Sequence, residues 1–240
     1  KRDGNHYVIN GRKSMISRNL VADVFAVACR TGEKAGDISI ILVESTTPGF
    51  RRGRAESFIT RSRTSHAGDL TMTDCQVPVE NRIGEENHGL ELILGAHNDG
   101  GGAGVCLGIA QAALELGVKY AKERHLYGKP LTELQTILFW LGDMERQTQR
   151  ARWLCYHAAW LLDQGKKSME IPGEMAMAKL DASEAALNNC LKAIELMGAY
   201  GTTPELGIIR KFKYALDMIA DGGSNQVLRL ALSSSTVRRY

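Results

Sequence analysis

From Tyr7 to Ile83 the apolar residues fall in short runs rich in β-branched types: Tyr7-Val8-Ile9, Val24-Phe25-Ala26-Val27-Ala28, Ile38-Ser39-Ile40-Ile41-Leu42-Val43 and Leu70-Thr71-Met72. The turn pairs Asn10-Gly11, Thr31-Gly32 and Pro48-Gly49 separate the runs, which predicts antiparallel strands. Asn10-Gly11 itself reads as the turn of a β-hairpin. Beyond about Gly89 the spacing becomes helical, with helices expected over 90–124, 132–164, 173–197, 203–219 and 224–232. Thr132 reads as the cap that opens the second, Gly165 as the residue that ends it and Ser224 as the N-cap of the last. Long helices joined by short Gly- and Pro-marked loops predict an antiparallel bundle. Because all strands precede all helices, the fold class is α+β, with a β-domain over 1–86 and a helical domain over 87–240.

Composition narrows this picture. The chain has 240 residues, and 44% hydrophobic against 24% charged is the balance of a globular protein that can bury a sizeable core. Its net charge of +3 is spread among interleaved acids and bases, which excludes the concentrated basic face that nucleic acid requires. No run of about 18 apolar residues predicts a membrane span. Five cysteines, an odd number without a CxxC pair, predict reduced thiols in a reducing compartment, the cytoplasm or the mitochondrial matrix, and no metal site. The chain opens directly on a strand pair with no preceding helix or cap, as if cut inside a domain.

Four segments carry candidate chemistry. Glu123-Arg124-His125-Leu126-Tyr127-Gly128 closes the first long helix and reads locally as a helix C-terminus with cations near the negative end of the macrodipole and Gly128 at C′. Glu195-Leu196-Met197-Gly198-Ala199-Tyr200-Gly201 ends the third helix with a glycine cap. Asp221-Gly222-Gly223-Ser224-Asn225-Gln226 opens the last helix, whose first amides favour an electron-rich ligand. Tyr7 to Ser17 includes the Ile-Asn-Gly-x-Lys pattern of Ile9 to Lys13. Arg51, Arg52, Arg54, Arg61 and Arg63 form a basic stretch that reads as a solvated face or as an attraction for phosphates.

Taken in order, these segments resemble the C-terminal part of an acyl-CoA dehydrogenase, covering about residues 3–232. The resemblance implies an antiparallel β-domain followed by an antiparallel four-helix bundle, with FAD held where subunits meet. It places Arg124, Tyr127, Gly128 and Gln135 against the flavin dinucleotide, where a guanidinium fork suits a pyrophosphate. Glu195, Gly198 and Gly201 fall where the family's Gly-rich turn approaches the adenosine end of a neighbouring subunit's cofactor, with Glu195 replacing the usual Gln. Gly223, Ser224 and Gln226 match the segment facing the flavin. Met15 replaces a Trp beside the flavin ring, and Ser17 takes the hydroxyl role.

The resemblance also implies a reaction, in which an acyl-CoA thioester loses an α-proton to a base and a hydride to flavin, and electrons leave for an electron-transferring flavoprotein. A backbone amide near Gly222 would be one of two donors to the thioester carbonyl. The family's two base positions fall on Gly222 and Asn98, neither of which can take a proton. Asp99 and Asp221 are the neighbouring carboxylates and hence the candidate bases; Asn98, Asp99, Gly222 and Gly223 would border the substrate. Gly100, Gly101, Gly102, Gly222 and Met15 remove bulk, which predicts a large, branched or cyclic acyl group, or reduction instead of oxidation. The alternative is a non-catalytic subunit or fragment completed by a partner. The expected assembly is a homo-oligomer, dimer or tetramer, or a hetero-oligomer with a related subunit.

Overall fold

A computed structural model of the chain describes residues 1–56, 58, 66–98 and 101–240, with backbone alone at 94–98 and 101. Asp99, Gly100, Arg61 and Arg63 lie outside the described residues. Packing divides the chain into two units, Lys1–Leu94 and Gly95–Tyr240.

The first unit holds strands β1 (Arg2–Asp3), β2 (His6–Ser17), β3 (Val24–Arg30), β4 (Ile38–Glu44), β5 (Phe50–Glu56), β6 (Ala67–Pro78) and β7 (Arg82–Ile83). They form two antiparallel sheets, ordered β1-β2-β6-β5 and β3-β4-β7. Strand alternation turns Phe25, Val27, Ile41 and Val43 of one sheet and Tyr7, Ile9, Leu70 and Met72 of the other into a common core. Phe25 stacks on Phe50 with ring centroids 5.1 Å apart. Helix α1 (Gly89–Asn98) leaves this unit from beside β4, where a Cβ on Gly89 would stand 2.9 Å from Ile38 O and Ile40 N.

Asn10-Gly11 does not make the expected hairpin turn. Strand β2 runs straight through it, paired with β6 on both sides, and the register slips between Ile9 and Gly11. Gly11, at φ +155°, belongs to a bulge. The cause is a contact across the sheet: the Asp74 amide donates to Asn10 Oδ1 at 2.8 Å and Asn10 Nδ2 donates to Asp74 Oδ1 at 3.0 Å. Thr31-Gly32 and Pro48-Gly49 do lie between strands, as expected.

The second unit holds α2 (Gly101–Glu123), the two-residue strands β8 (His125–Leu126) and β9 (Lys129–Pro130), then α3 (Gln135–Asp163), α4 (Pro172–Met197), α5 (Ile208–Met218) and α6 (Asn225–Arg239). Helix α4 is central, packed by α2, α3, α5 and α6. Six of its fifteen buried positions are Ala (Ala176, Ala178, Ala182, Ala185, Ala186, Ala193), which lets the surrounding helices approach closely. At its middle Asn189 Nδ2 donates to Ala110 O, Met144 O and Thr148 Oγ1, tying α2, α3 and α4 together. The donor side of this buried amide is satisfied in that way, while its Oδ1 has no hydrogen-bond partner among the described residues.

Helix ends correct several expectations. Thr132 is no cap: it sits in a short 3-10 turn, Leu131–Glu133, and α3 starts after Leu134 without a side-chain cap. Helix α5 starts late because Gly207, at φ +69°, closes a turn from Pro204 before the helix can begin. Helix α6 extends beyond 232 to Arg239; Ser233 and Thr236 hydroxyls donate to carbonyls four residues back, and Arg239 pairs with Glu174 of α4 at 2.7 Å. Ser224 does cap α6, accepting from the Val227 amide at 3.4 Å. Gly165, at φ +81°, does end α3, with the Lys166 amide reaching Leu161 O at 3.1 Å. All five cysteines are free. Burial pushes the thiols up, Cys106 and Cys155 to about 11 and Cys190 to about 12.

Candidate functional site

The candidate residues of the second unit gather at two places along α4. The first is its C-terminal end. Helix α2 stops at Glu123, the Arg124 amide donates to Tyr120 O at 2.9 Å, and the chain turns back through β8 and β9. Tyr127 at φ +53° and Gly128 at φ +79° are the two central residues of that turn, the pair of left-handed conformations that a two-residue hairpin prefers. Gly128 is therefore a hairpin residue and not the C′ residue of α2. The Leu131 amide closes the hairpin on Arg124 O at 2.9 Å. This leaves Tyr127 91% exposed, and Arg124 exposed with no carboxylate partner among the described residues. Gln135, the first residue of α3, is exposed as well.

Tyr120 joins this hairpin to the glycine turn, since its hydroxyl donates to Met197 O at 3.4 Å. Gly198, at φ +60°, caps α4 as expected. Gly201 is required for a different reason: a Cβ there would lie 2.7 Å from Ile194 O and 2.9 Å from Ile194 Cα. Glu195 is turned toward Lys192, with Nζ 2.5 Å from its carboxylate, and the same ammonium lies 4.4 Å from the Trp140 ring. Its charge is thus locally compensated. An exposed guanidinium, an exposed aromatic ring and two glycines, Gly128 and Gly198, with no atom within 4 Å of a would-be Cβ form a surface that an anionic dinucleotide fits.

The second place lies toward the other end of α4. Lys179 is 6% exposed, and its ammonium donates to Met218 O at 2.6 Å, Gly223 O at 3.0 Å and Asn225 Oδ1 at 2.9 Å. Asn225, also buried, donates to Ser183 Oγ at 3.0 Å. Burial lowers the lysine's pKa from its ordinary value, while Cys106 and Asp221 act in the opposite sense. The segment held in this way contains Asp221, Gly222 at φ +65° and Gly223 at φ +89°. Asp221 is exposed, and its Oδ1 accepts from the Gly222 amide at 2.9 Å. The amide expected to face a thioester is therefore engaged by the neighbouring carboxylate. The start of α2 meets the same region, where a Cβ on Gly102 would lie 3.5 Å from Met218 Cε.

Met197 follows Lys179 by 18 residues on one helix, a rise of roughly 27 Å. The structure thus joins Arg124, Tyr127, Glu195, Gly198 and Gly201 at one place and Gly102, Asp221, Gly222, Gly223, Ser224 and Gln226 at another. Lys179, Asn225 and Ser183 are not among the residues expected from sequence. A single lysine inside the Ala- and Met-rich run 175–180 is the signal that could have found the first of them.

In the first unit Met15, at φ +58° and 59% exposed, occupies a second slip of β2, between Lys13 and Ile16. Ser17 is exposed at the end of the strand. Arg12 pairs with Asp69, and this contact together with Ser14 holds the Asp69 carboxyl below its usual range. Asn19, fully buried, donates to Gly53 O and Asp69 O. Arg52 has a structural task, donating to Leu20 O and to Ala22 O (2.7 Å), while Arg51 and Arg54 are exposed. Asn98 is the last residue of α1. No group of three metal-ligating side chains occurs among the described residues, and no described helix is long and apolar enough to cross a membrane.

Comparison with known proteins gives two family matches: acyl-CoA dehydrogenase, C-terminal domain, over residues 87–236, and acyl-CoA dehydrogenase, middle domain, over residues 1–75. The short-chain specific acyl-CoA dehydrogenase, mitochondrial, of Rattus norvegicus is 37% identical over all of this chain and 58% of its own length. The caffeyl-CoA reductase-Etf complex subunit CarC of Acetobacterium woodii is 32% identical over 98% of this chain and 62% of its own. Among solved structures, butyryl-CoA dehydrogenase from Megasphaera elsdenii superposes with a TM-score of 0.89 at 34% identity, over 99% of this chain and 62% of that one. The chain thus spans about three fifths of the length of these relatives.

Proposed function

The chain belongs to the acyl-CoA dehydrogenase family, and from that premise we propose that it forms the larger part of a flavin-dependent enzyme acting on the Cα–Cβ bond of an acyl-CoA thioester. The observation that carries the proposal is the pair of clusters near the two ends of α4: an exposed polar surface at Arg124 beside the Gly198 turn, and a turn at 221–223 whose backbone is held by a buried lysine. Their separation favours a cofactor shared between copies, with Arg124, Tyr127, Gln135, Gly198 and Gly201 serving a neighbour's FAD and Ser224 and Gln226 serving the chain's own. The assembly is then at least a dimer.

Within that reading the Arg124 fork would hold the pyrophosphate, and Met15 and Ser17 would border the flavin ring. A bound FAD would supply the acceptor for the hydride of the β-carbon. The 221–223 turn orients the thioester; since the Gly222 amide donates to Asp221, the Gly223 amide takes the role of polarising the carbonyl. Asp221 and Asp99 remain the candidates for taking the α-proton. Open space at Gly222 supports an acyl group bulkier than a short straight chain. The electron partner in this reading is an electron-transferring flavoprotein, and the Etf-complex relative supports such a pairing.

A second reading, a subunit without catalysis of its own, is favoured by Gly222 and Asn98, because neither residue can take a proton. Anaerobic spectra of the purified protein separate the two. The proposal expects a flavin chromophore that bleaches on addition of cyclohexanecarbonyl-CoA, faster than with butyryl-CoA. A flavoprotein that bleaches with neither, but does so in Gly222→Glu, would establish the second reading. Loss of bleaching in Asp221→Asn but not Asp99→Asn would assign the base.

A further inference from the structure

We propose that Lys179 is the positioning residue of the 221–223 turn, fixing its backbone from inside the bundle by hydrogen bonds to both of the helices that the turn connects. The inference rests on the reading above only in taking this turn as the part that orients the thioester.

Burying the lysine is costly. An ammonium that is 6% exposed has lost its water, and a buried cation persists only where acceptors replace that water. Lys179 has three acceptors, one for each of its protons: Met218 O at the last turn of α5, Gly223 O inside the turn, and Asn225 Oδ1 at the first residue of α6. The three belong to one stretch of eight residues, 218–225, whereas the lysine comes from α4, 39 residues earlier than the nearest of them. Helix C-terminal carbonyls carry the negative end of the macrodipole, which suits Met218 O to a cation. Asn225 is fixed in turn by Ser183, one turn further along α4, so the side chain that receives the lysine cannot swing away.

The turn needs such a hold. Gly222 and Gly223 both have left-handed backbones, and glycine loses more conformational freedom on ordering than any other residue. The Gly222 side of the turn meets no atom within 4 Å where a Cβ would be, so packing against side chains does not fix it. A hydrogen bond from a buried cation to Gly223 O does, and by orienting that peptide group it also sets the direction of the amides beside it. A lysine retained only to fill the core would need neither three acceptors nor acceptors all in this segment; methionine would fill the same space without the desolvation cost.

The test compares Lys179→Met with Lys179→Arg in the whole chain, using amide hydrogen exchange resolved by residue, with flavin reduction read separately. In Lys179→Met the amides of 222–225 should exchange roughly tenfold faster or more, as expected on losing hydrogen bonds to a charged donor, while those in the middle of α4 and α3 keep their protection. Lys179→Arg should recover part of it. Where flavin is bound, Lys179→Met should lower kcat for acyl-CoA oxidation with little change in flavin affinity. If exchange at 222–225 is unchanged in Lys179→Met, or rises no more than in the rest of the bundle, the inference is overturned. Should Lys179→Met fail to fold, Ser183→Ala, which frees Asn225 and keeps the lysine, must still raise exchange at 223–225, and its failure to do so overturns the inference equally. Faster exchange with unchanged kcat would uphold the inference and overturn the reading of the turn as the thioester's support.

Discussion

The two ends of α4 solve opposite problems with the same helix. At its C-terminal end the polar groups face outward: Arg124 and Tyr127 are exposed, Gly198 opens the backbone, and Glu195 and Lys192 compensate each other at the surface. Around Lys179 the polar groups face inward, and a buried cation organises a glycine turn that has little packing of its own. The first arrangement offers charge to a ligand at low desolvation cost, so removing a group there should alter binding more than folding. The second spends its charge inside the protein, so a change there alters the shape of a turn.

Glycines at the two ends sharpen the contrast. Gly201→Ala should be the most damaging change, about 2 kcal/mol of stability, because its methyl would meet the Ile194 backbone, which cannot move aside cheaply. Gly222→Ala should cost only about 1 kcal/mol, the penalty of a left-handed backbone with no clash. Urea denaturation of both variants checks the order, and equal losses would mean that the turn near Lys179 is packed as tightly as the C-terminal one. Glu195→Gln should change stability by about 0.5 kcal/mol or less, since its partner Lys192 pairs with it at the surface. It should nonetheless tighten flavin binding if the carboxylate opposes a pyrophosphate, and fluorescence titration of FAD would show that even where denaturation does not.

What could be read in the sequence follows the same division. Residues that stand in short local patterns announce themselves: the glycines at 198, 201, 222 and 223, the arginine before an aromatic, and the Ser224 cap. So does the switch from strand to helix near Gly89. What could not be read depends on contacts distant in sequence. Asn10-Gly11 has the local signature of a hairpin, but Asp74, 64 residues away, binds the Asn10 side chain and leaves the strand straight. Gly128 has the signature of a helix cap, yet the carbonyl of Arg124 captures the Leu131 amide and folds a hairpin there. Thr132 lost its capping role to the same closure. Lys179 is marked in the sequence only as a lone lysine in an Ala- and Met-rich run, and its partners come from α5, the turn and α6. Asp99, the other candidate base, lies outside the described residues, so its role rests on sequence.

In the reading proposed above, the two ends of α4 serve different flavin sites, each site being completed by two copies of the chain. Arg124→Glu should abolish flavin binding, and Gly222→Trp should retain flavin but block the acyl group, so neither protein alone should bleach with acyl-CoA. Unfolded together and refolded as a mixture, the two should recover bleaching, because half of the sites in a mixed dimer would combine a normal Arg124 with a normal Gly222. A mixture that bleaches no more than the two separate proteins would place both ends in one chain's site and rule out a site shared between copies.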